Sequence, residues 1–149
     1  MPLDQSFIGR EYPPTDPYEV GREKIREFAE AIADDSPLHR DVDAAKAAGY
    51  PDVIAPPTFA VILAMAAQDQ IVGDPELGLD YSRVVHGSQE FVHHRPIRAG
   101  DRLATVAHVD DIKTRAGNDF LTVRAEIATA EGEAVCTATS TLVVRGEEA

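Results

Sequence analysis

Ile54–Val72 reads IAPPTFAVILAMAAQDQIV, and from Phe59 to Ala67 no polar residue interrupts it. A helix with that composition has no solvent face, so it is expected to be buried on every side. The run is well short of the ~20 apolar residues of a membrane span, and it lacks the alternation of a half-exposed strand. Its start is marked by Pro56-Pro57-Thr58, with proline suited to a first turn and threonine to capping. Its end is marked by Gln68, Asp69 and Gln70, then Gly73. The expectation is a central helix from Thr58 to Val72, gripped by a curved sheet.

Working outward, the sheet lies downstream. Val84 to His94, Leu103 to Lys113, Phe120 to Thr129 and Ala134 to Val144 are rich in Val, Thr, Ile and Phe. They are separated by Pro96 to Asp101, by Ala116-Gly117-Asn118-Asp119 and by Glu131-Gly132, the last two being hairpin signals. Four long antiparallel strands after a buried helix, with no helices between them, make the class α+β. Upstream, Ile25, Phe28, Ala29 and Ile32 form the stripe of an amphipathic helix that ends near Asp34. Val42 to Ala48 is a short helix stopped by Gly49, and residues 1–17, broken by four prolines, form a wrapping arm. The tail from Gly146 to Ala149 reads as loose.

The chain has 149 residues, 44% of them hydrophobic, which suits one domain with a real core over 1–149. A net charge of -12 disfavours nucleic acid and anionic membranes as partners, because both would be repelled. Cys136 is the sole cysteine, and MPLDQSF lacks the basic and apolar regions of a signal peptide, so a cytoplasmic location is expected. No Gly-rich phosphate loop, CxxC, HExxH or GxSxG occurs, which leaves nucleotide hydrolysis, zinc sites and serine hydrolysis without support. His93-His94 invites a metal reading, but adjacent strand residues point to opposite faces, so a satisfied or solvent-facing histidine is the better reading.

Asp34 and His39 stand five residues apart across a Pro-containing corner. That spacing allows a carboxylate and an imidazole to share one small volume and to handle a proton near neutral pH. On its own it is more often an ordinary helix end followed by a turn, with His39 a structural side chain. The wider pattern adds to it. Asp34-Asp35-Ser36-Pro37-Leu38-His39-Arg40-Asp41, with Ala44-Ala45, Gly49-Tyr50 and Ile54-Ala55 behind it, resembles the hydratase motif of the MaoC-like (R)-specific enoyl hydratases and 3-hydroxyacyl-thioester dehydratases. His86-Gly87-Ser88-Gln89-Glu90-Phe91, then His94-Arg95-Pro96-Ile97-Arg98-Ala99-Gly100-Asp101, is similar to the strand and turn that follow in that family, and the small branch typified by mycobacterial dehydratase subunits is the most similar.

The resemblance implies a hot-dog fold, a homodimer or a heterodimer with a similar subunit, and no metal or redox cofactor. It implies reversible dehydration of (3R)-hydroxyacyl thioesters to trans-2-enoyl thioesters, with Asp34 and His39 as the catalytic pair. The substrate-binding candidates are Ser36, Thr58, His86, Gly87, Arg95 and Arg98, with His86 expected to act at most through a neighbour. Two departures stand out: Ser36 replaces the usual asparagine of the motif, and Pro56-Pro57 replaces the His-Gly whose glycine N–H serves many members as oxyanion donor. Proline has no N–H, so the donor moves to Thr58 or beyond, or is absent. Arg83, Arg95, Arg98 and Arg102 against Glu90 and Asp101 form the only basic stretch, net +2, suited to coenzyme A phosphates or an acidic acyl carrier protein, or simply to solvent. Two rivals remain: a silent acyl-binding subunit serving a catalytic partner, motivated by Pro57, and a hot-dog thioesterase.

Overall fold

The computed structural model describes residues 2–146. Five antiparallel strands form one sheet: β1 (Tyr18–Glu19), β2 (Val84–His93), β3 (Arg102–Arg115), β4 (Asn118–Thr129) and β5 (Ala134–Val144), in the order β1-β3-β4-β5-β2. Three helices accompany it: α1 (Arg22–Ala31), α2 (Val42–Ala47) and α3 (Ala60–Val72). The four long strands stand where the sequence places them, to within two residues at each end. The expected break at 116–119 shrinks to the pair Ala116-Gly117, because both adopt positive φ (52° and 80°) and Asn118 and Asp119 join β4. Positive φ at both central residues is what a two-residue hairpin between right-twisted strands requires. The short β1, pairing Tyr18 with Leu103, is an addition that its length hid.

Helix α3 lies against β3, β4 and β5. Ala64 packs on Ala125 and Ala138, with Phe91 beside them, so small side chains on both surfaces let the helix approach closely. Register shifts at His86/Ser88 on β2 and Val109/Asp111 on β3 mark bulges, which bend and twist a strand locally. Burial on every side does not hold for this helix. Met65 is 45% exposed and Ala66 is exposed too, so one chain leaves an apolar strip uncovered.

The helix also starts differently from the expected Thr58. A 3-10 turn, Pro57–Phe59, precedes the α-helical residues, with Phe59 N–H donating to Pro56 C=O at 2.9 Å. Phe59 is fully buried and meets Phe28 of α1 edge-on, with ring centroids 5.5 Å apart. Burial of such a ring stabilises by roughly 2–3 kcal/mol, and the aromatic pair adds about 1 kcal/mol. On α1, Ile25 and Ala29 face inward as the stripe requires. Ile32, expected with them, is exposed because the helix has already ended.

The N-terminal arm buries Leu3, Phe7 and Tyr12 against Ala67 and Ile71 of α3 and the adjoining sheet. Tyr12 Oη donates to Asp74 at 2.7 Å, and burial with that carboxylate pushes its phenol up to about 12. At the other end, Gly146 is held rather than loose: its N–H donates to Asn118 Oδ1 at 2.9 Å and its carbonyl accepts from Arg83 at 3.0 Å. The rest of the expected tail, 147–149, lies outside the described residues. Among the described residues no helix is long and apolar enough to cross a membrane.

Candidate active site

Asp34 is delivered by the end of α1. Ala33 takes a left-handed φ of 59°, its N–H donates to Glu30 C=O at 3.1 Å, and Asp34 N–H donates to Ala29 C=O at 2.8 Å. This pair of bonds is a Schellman motif, which closes the helix and reverses the chain. Ser36 then caps the 3-10 turn Pro37–His39: its Oγ accepts from Leu38 N–H at 3.3 Å, while its own N–H donates to Asp34 Oδ1 at 3.1 Å. Ser36 thus shapes the bend and orients the carboxylate, contacts that a serine hydroxyl and amide supply without substrate.

His39 is buried, and its two ring nitrogens face different partners. Nδ1–H donates to Ile54 C=O at 2.7 Å, since a carbonyl can only accept, and Nε2 stands 3.0 Å from Asp34 Oδ2. Ile54 is itself tied down. Its N–H donates to Leu38 C=O at 3.0 Å, and it bridges Arg98, while the flanking Ala55 and Val53 bond Ile97 and Ala99. The ring orientation is therefore set by backbone, and Nε2 is the atom left to exchange a proton with Asp34. The Ser36 N–H holds the Asp34 carboxyl below its ordinary 3.8, against burial, with the neighbouring His39 ring adding in the same direction, so it is ionised at neutral pH.

The His39 ring lines a cleft of about 430 Å³ with Ile54, Pro57, His93, His94 and Pro96. Its walls are apolar except for the histidines and Arg95, and of the Asp34/His39 pair only His39 lines it. Arg95 does line this cleft, but its guanidinium is occupied. It grips the buried Asp101 through two 2.9 Å bonds and reaches Glu133 at 3.3 Å. Asp101 Oδ2 also accepts Arg98 N–H at 2.9 Å, so Arg95 braces the loop instead of offering a free cation.

Thr58 sits exposed one residue beyond the cleft-lining Pro57. His86 and Gly87 are not brought to this cleft within one chain. His86 precedes His93 by seven positions along β2, roughly 23 Å of strand. His86 Nε2 donates to Ser88 C=O at 3.0 Å, and Gly87 forms the bulge, where a Cβ would meet Thr141 O and Val143 Cγ2 at 3.1 Å. Glycine is there for the sheet.

Sequence reasoning set His93 and His94 aside, and the structure puts both on the cleft. Their rings do part, as neighbours on a strand should: His93 Nε2–H donates to Pro57 C=O at 2.9 Å, and His94 Nε2 approaches Thr137 Oγ1 at 3.4 Å. The signal that marks His93 is Phe91 two residues before it, on the same face, whose ring stacks on the imidazole at 6.1 Å. Among the described residues no three His, Cys, Asp or Glu side chains gather closely enough to hold a metal ion.

Comparison with known proteins bears on the family and the fold. Residues 6–138 match the family described as FAS1-like, dehydratase domain region. A UPF0336 protein of Saccharopolyspora erythraea is 84% identical over 98% of this chain and 94% of its own length. Among solved structures, a MaoC-like dehydratase superposes with a TM-score of 0.87 at 36% identity; it covers 95% of this chain, which spans 43% of that longer protein. The C-terminally truncated HadBC (3R-hydroxyacyl-ACP dehydratase) complex of Mycobacterium tuberculosis gives 0.83 at 34% identity, over 96% of this chain and 99% of the matched one.

Proposed function

Since the chain belongs to the FAS1-like dehydratase family and has the MaoC-like hot-dog fold, we propose that it interconverts (3R)-hydroxyacyl and trans-2-enoyl thioesters, with Asp34 and His39 as the acid–base pair. The observation that carries the reading is the 3.0 Å approach of His39 Nε2 to Asp34, with Nδ1 already committed to Ile54. In dehydration the C2–H bond breaks and its electrons form the C2=C3 double bond. The C3–O bond breaks in turn, and the hydroxyl leaves as water. The pair accepts one proton from C2 and returns one to the leaving oxygen, so it ends in its starting state without a cofactor. Hydration is the reverse.

Negative charge gathers on the thioester oxygen along the way and needs a donor. Thr58 N–H is assigned that role. Pro56 and Pro57 have no N–H, Phe59 N–H is spent on Pro56, and Thr58 N–H makes no hydrogen bond among the described residues. The thiol carrier is coenzyme A or an acyl carrier protein, with Arg98, whose side chain has no ion pair among the described residues, nearer to the task than Arg95. The working unit pairs two hot-dog subunits, alike or similar, because α3 and β2 leave apolar surface uncovered.

Hydration of crotonyl-CoA by the purified protein tests the reading. Asp34→Asn and His39→Ala are each expected to lower kcat by about 10²–10⁴-fold, the contribution of a positioned acid–base group. Turnover that survives both substitutions would sink it. The silent-subunit reading keeps its motive in Pro57; it gains if turnover appears only on adding a second hot-dog chain and is indifferent to Asp34→Asn. Release of free thiol would point to thioester hydrolysis instead.

A further inference from the structure

The departure at Pro56-Pro57 removes the amide that would stand first at the helix start, and the donor left is Thr58 N–H. That N–H belongs to the same planar peptide unit as the Pro57 carbonyl and points antiparallel to it. Whatever fixes the carbonyl therefore fixes the direction of the N–H. The Pro57 carbonyl accepts from His93 Nε2–H at 2.9 Å, and the His93 ring is itself held by stacking on Phe91, at 6.1 Å and 28° between planes. A hydrogen bond to the oxygen of a peptide also draws electron density from its nitrogen and strengthens the N–H as a donor, by some 10–30% in chains of such bonds.

We propose that His93 is the positioning residue of the oxyanion donor: by holding the Pro57 carbonyl it orients and polarises the Pro57–Thr58 peptide. This rests on the reading of Thr58 N–H as the donor. His93 acts through the Pro57–Thr58 peptide, so its effect falls on the barrier rather than on ground-state binding. It gives the histidine at the end of β2 a task that metal binding and simple solvation do not.

Two variants separate the hydrogen bond from the packing. His93→Phe keeps a ring beside Phe91 but loses the donor, and His93→Gln restores an N–H donor without the ring. For crotonyl-CoA hydration His93→Phe is expected to lower kcat about tenfold or more, below the 10²–10³ of losing an oxyanion donor outright, with KM within about twofold. His93→Gln is expected to recover most of that loss. Independently of turnover, the Thr58 amide proton is expected to move upfield in His93→Phe and to stay near its native position in His93→Gln. Native kcat and an unmoved Thr58 amide in His93→Phe, in a protein whose turnover still needs Asp34, overturn the role of His93 alone. Absence of any Asp34-dependent turnover overturns the hydratase reading and this role with it. Should His93→Phe fail to fold, His93→Ala in the same two measurements decides between these outcomes.

Discussion

Ala33 occupies the left-handed region at φ 59°, one residue before Asp34. An L-residue pays roughly 1–2 kcal/mol there, while glycine does not, although glycine loses about 0.5–1 kcal/mol more chain entropy on folding. Ala33→Gly is therefore expected to stabilise the fold by about 0.5 kcal/mol, read as a higher urea midpoint at unchanged slope. The strain is compensated by the two bonds that aim Asp34 at His39. Nothing in the order of letters betrays it, because alanine, unlike glycine or asparagine, gives no signal for a left-handed turn. The Asp34/His39 spacing, by contrast, is plain in the sequence, and so is the Pro56-Pro57 departure. Ser36 illustrates the middle case: it stands out as a motif residue, but only the bonds it makes show it working on Asp34 and Leu38.

Helix α3 and the arm that crosses it depend on each other. The helix was legible from its unbroken apolar run, yet its deep face is completed by residues fifty or more positions upstream: Phe7 and Tyr12 against Ala67 and Ile71, with Gln70 donating to Pro13 C=O at 3.0 Å. Phe7→Ala is expected to cost about 3 kcal/mol, at the lower end for a buried phenylalanine because the arm lies at the edge of the core. A fall in the denaturation midpoint checks this, and a loss under 1 kcal/mol would mean that the arm packs loosely. The arm was read as irregular because four prolines break any period. Irregular backbone still buries side chains when its polar groups find partners, as Tyr12 N–H does with Ala107 C=O at 2.9 Å.

Taken whole, one chain leaves two features without cover. Met65 on α3 is 45% exposed and Val92 on β2 is 49% exposed, and β2 is a ten-residue edge strand. Apolar strips and open edges of this kind call for another subunit. The protein is expected to elute at twice the mass of one chain, or to pair with a similar hot-dog subunit, and Met65→Lys with Val92→Lys to shift it toward the single-chain mass by light scattering. A native protein that stays single at micromolar concentration, with no second subunit to bind, would contradict this.

The kind and order of the long elements, though not the two-residue β1, were determined by the sequence alone, because helix and strand periods, hairpin turns and proline positions act over a few residues at a time. The spacing of Asp34 and His39 permits them to meet, and the folded bend brings Nε2 to 3.0 Å from the carboxylate. Only the tertiary structure decided that His39 Nδ1 goes to Ile54, that Arg95 is consumed by Asp101 and Glu133, that His86 stands far from the cleft and that His93 holds the Pro57 carbonyl. Apart from the short Arg95–Asp101 span, these depend on pairings between distant segments, where each partner is satisfied by whatever the folded chain brings beside it. No local pattern records that.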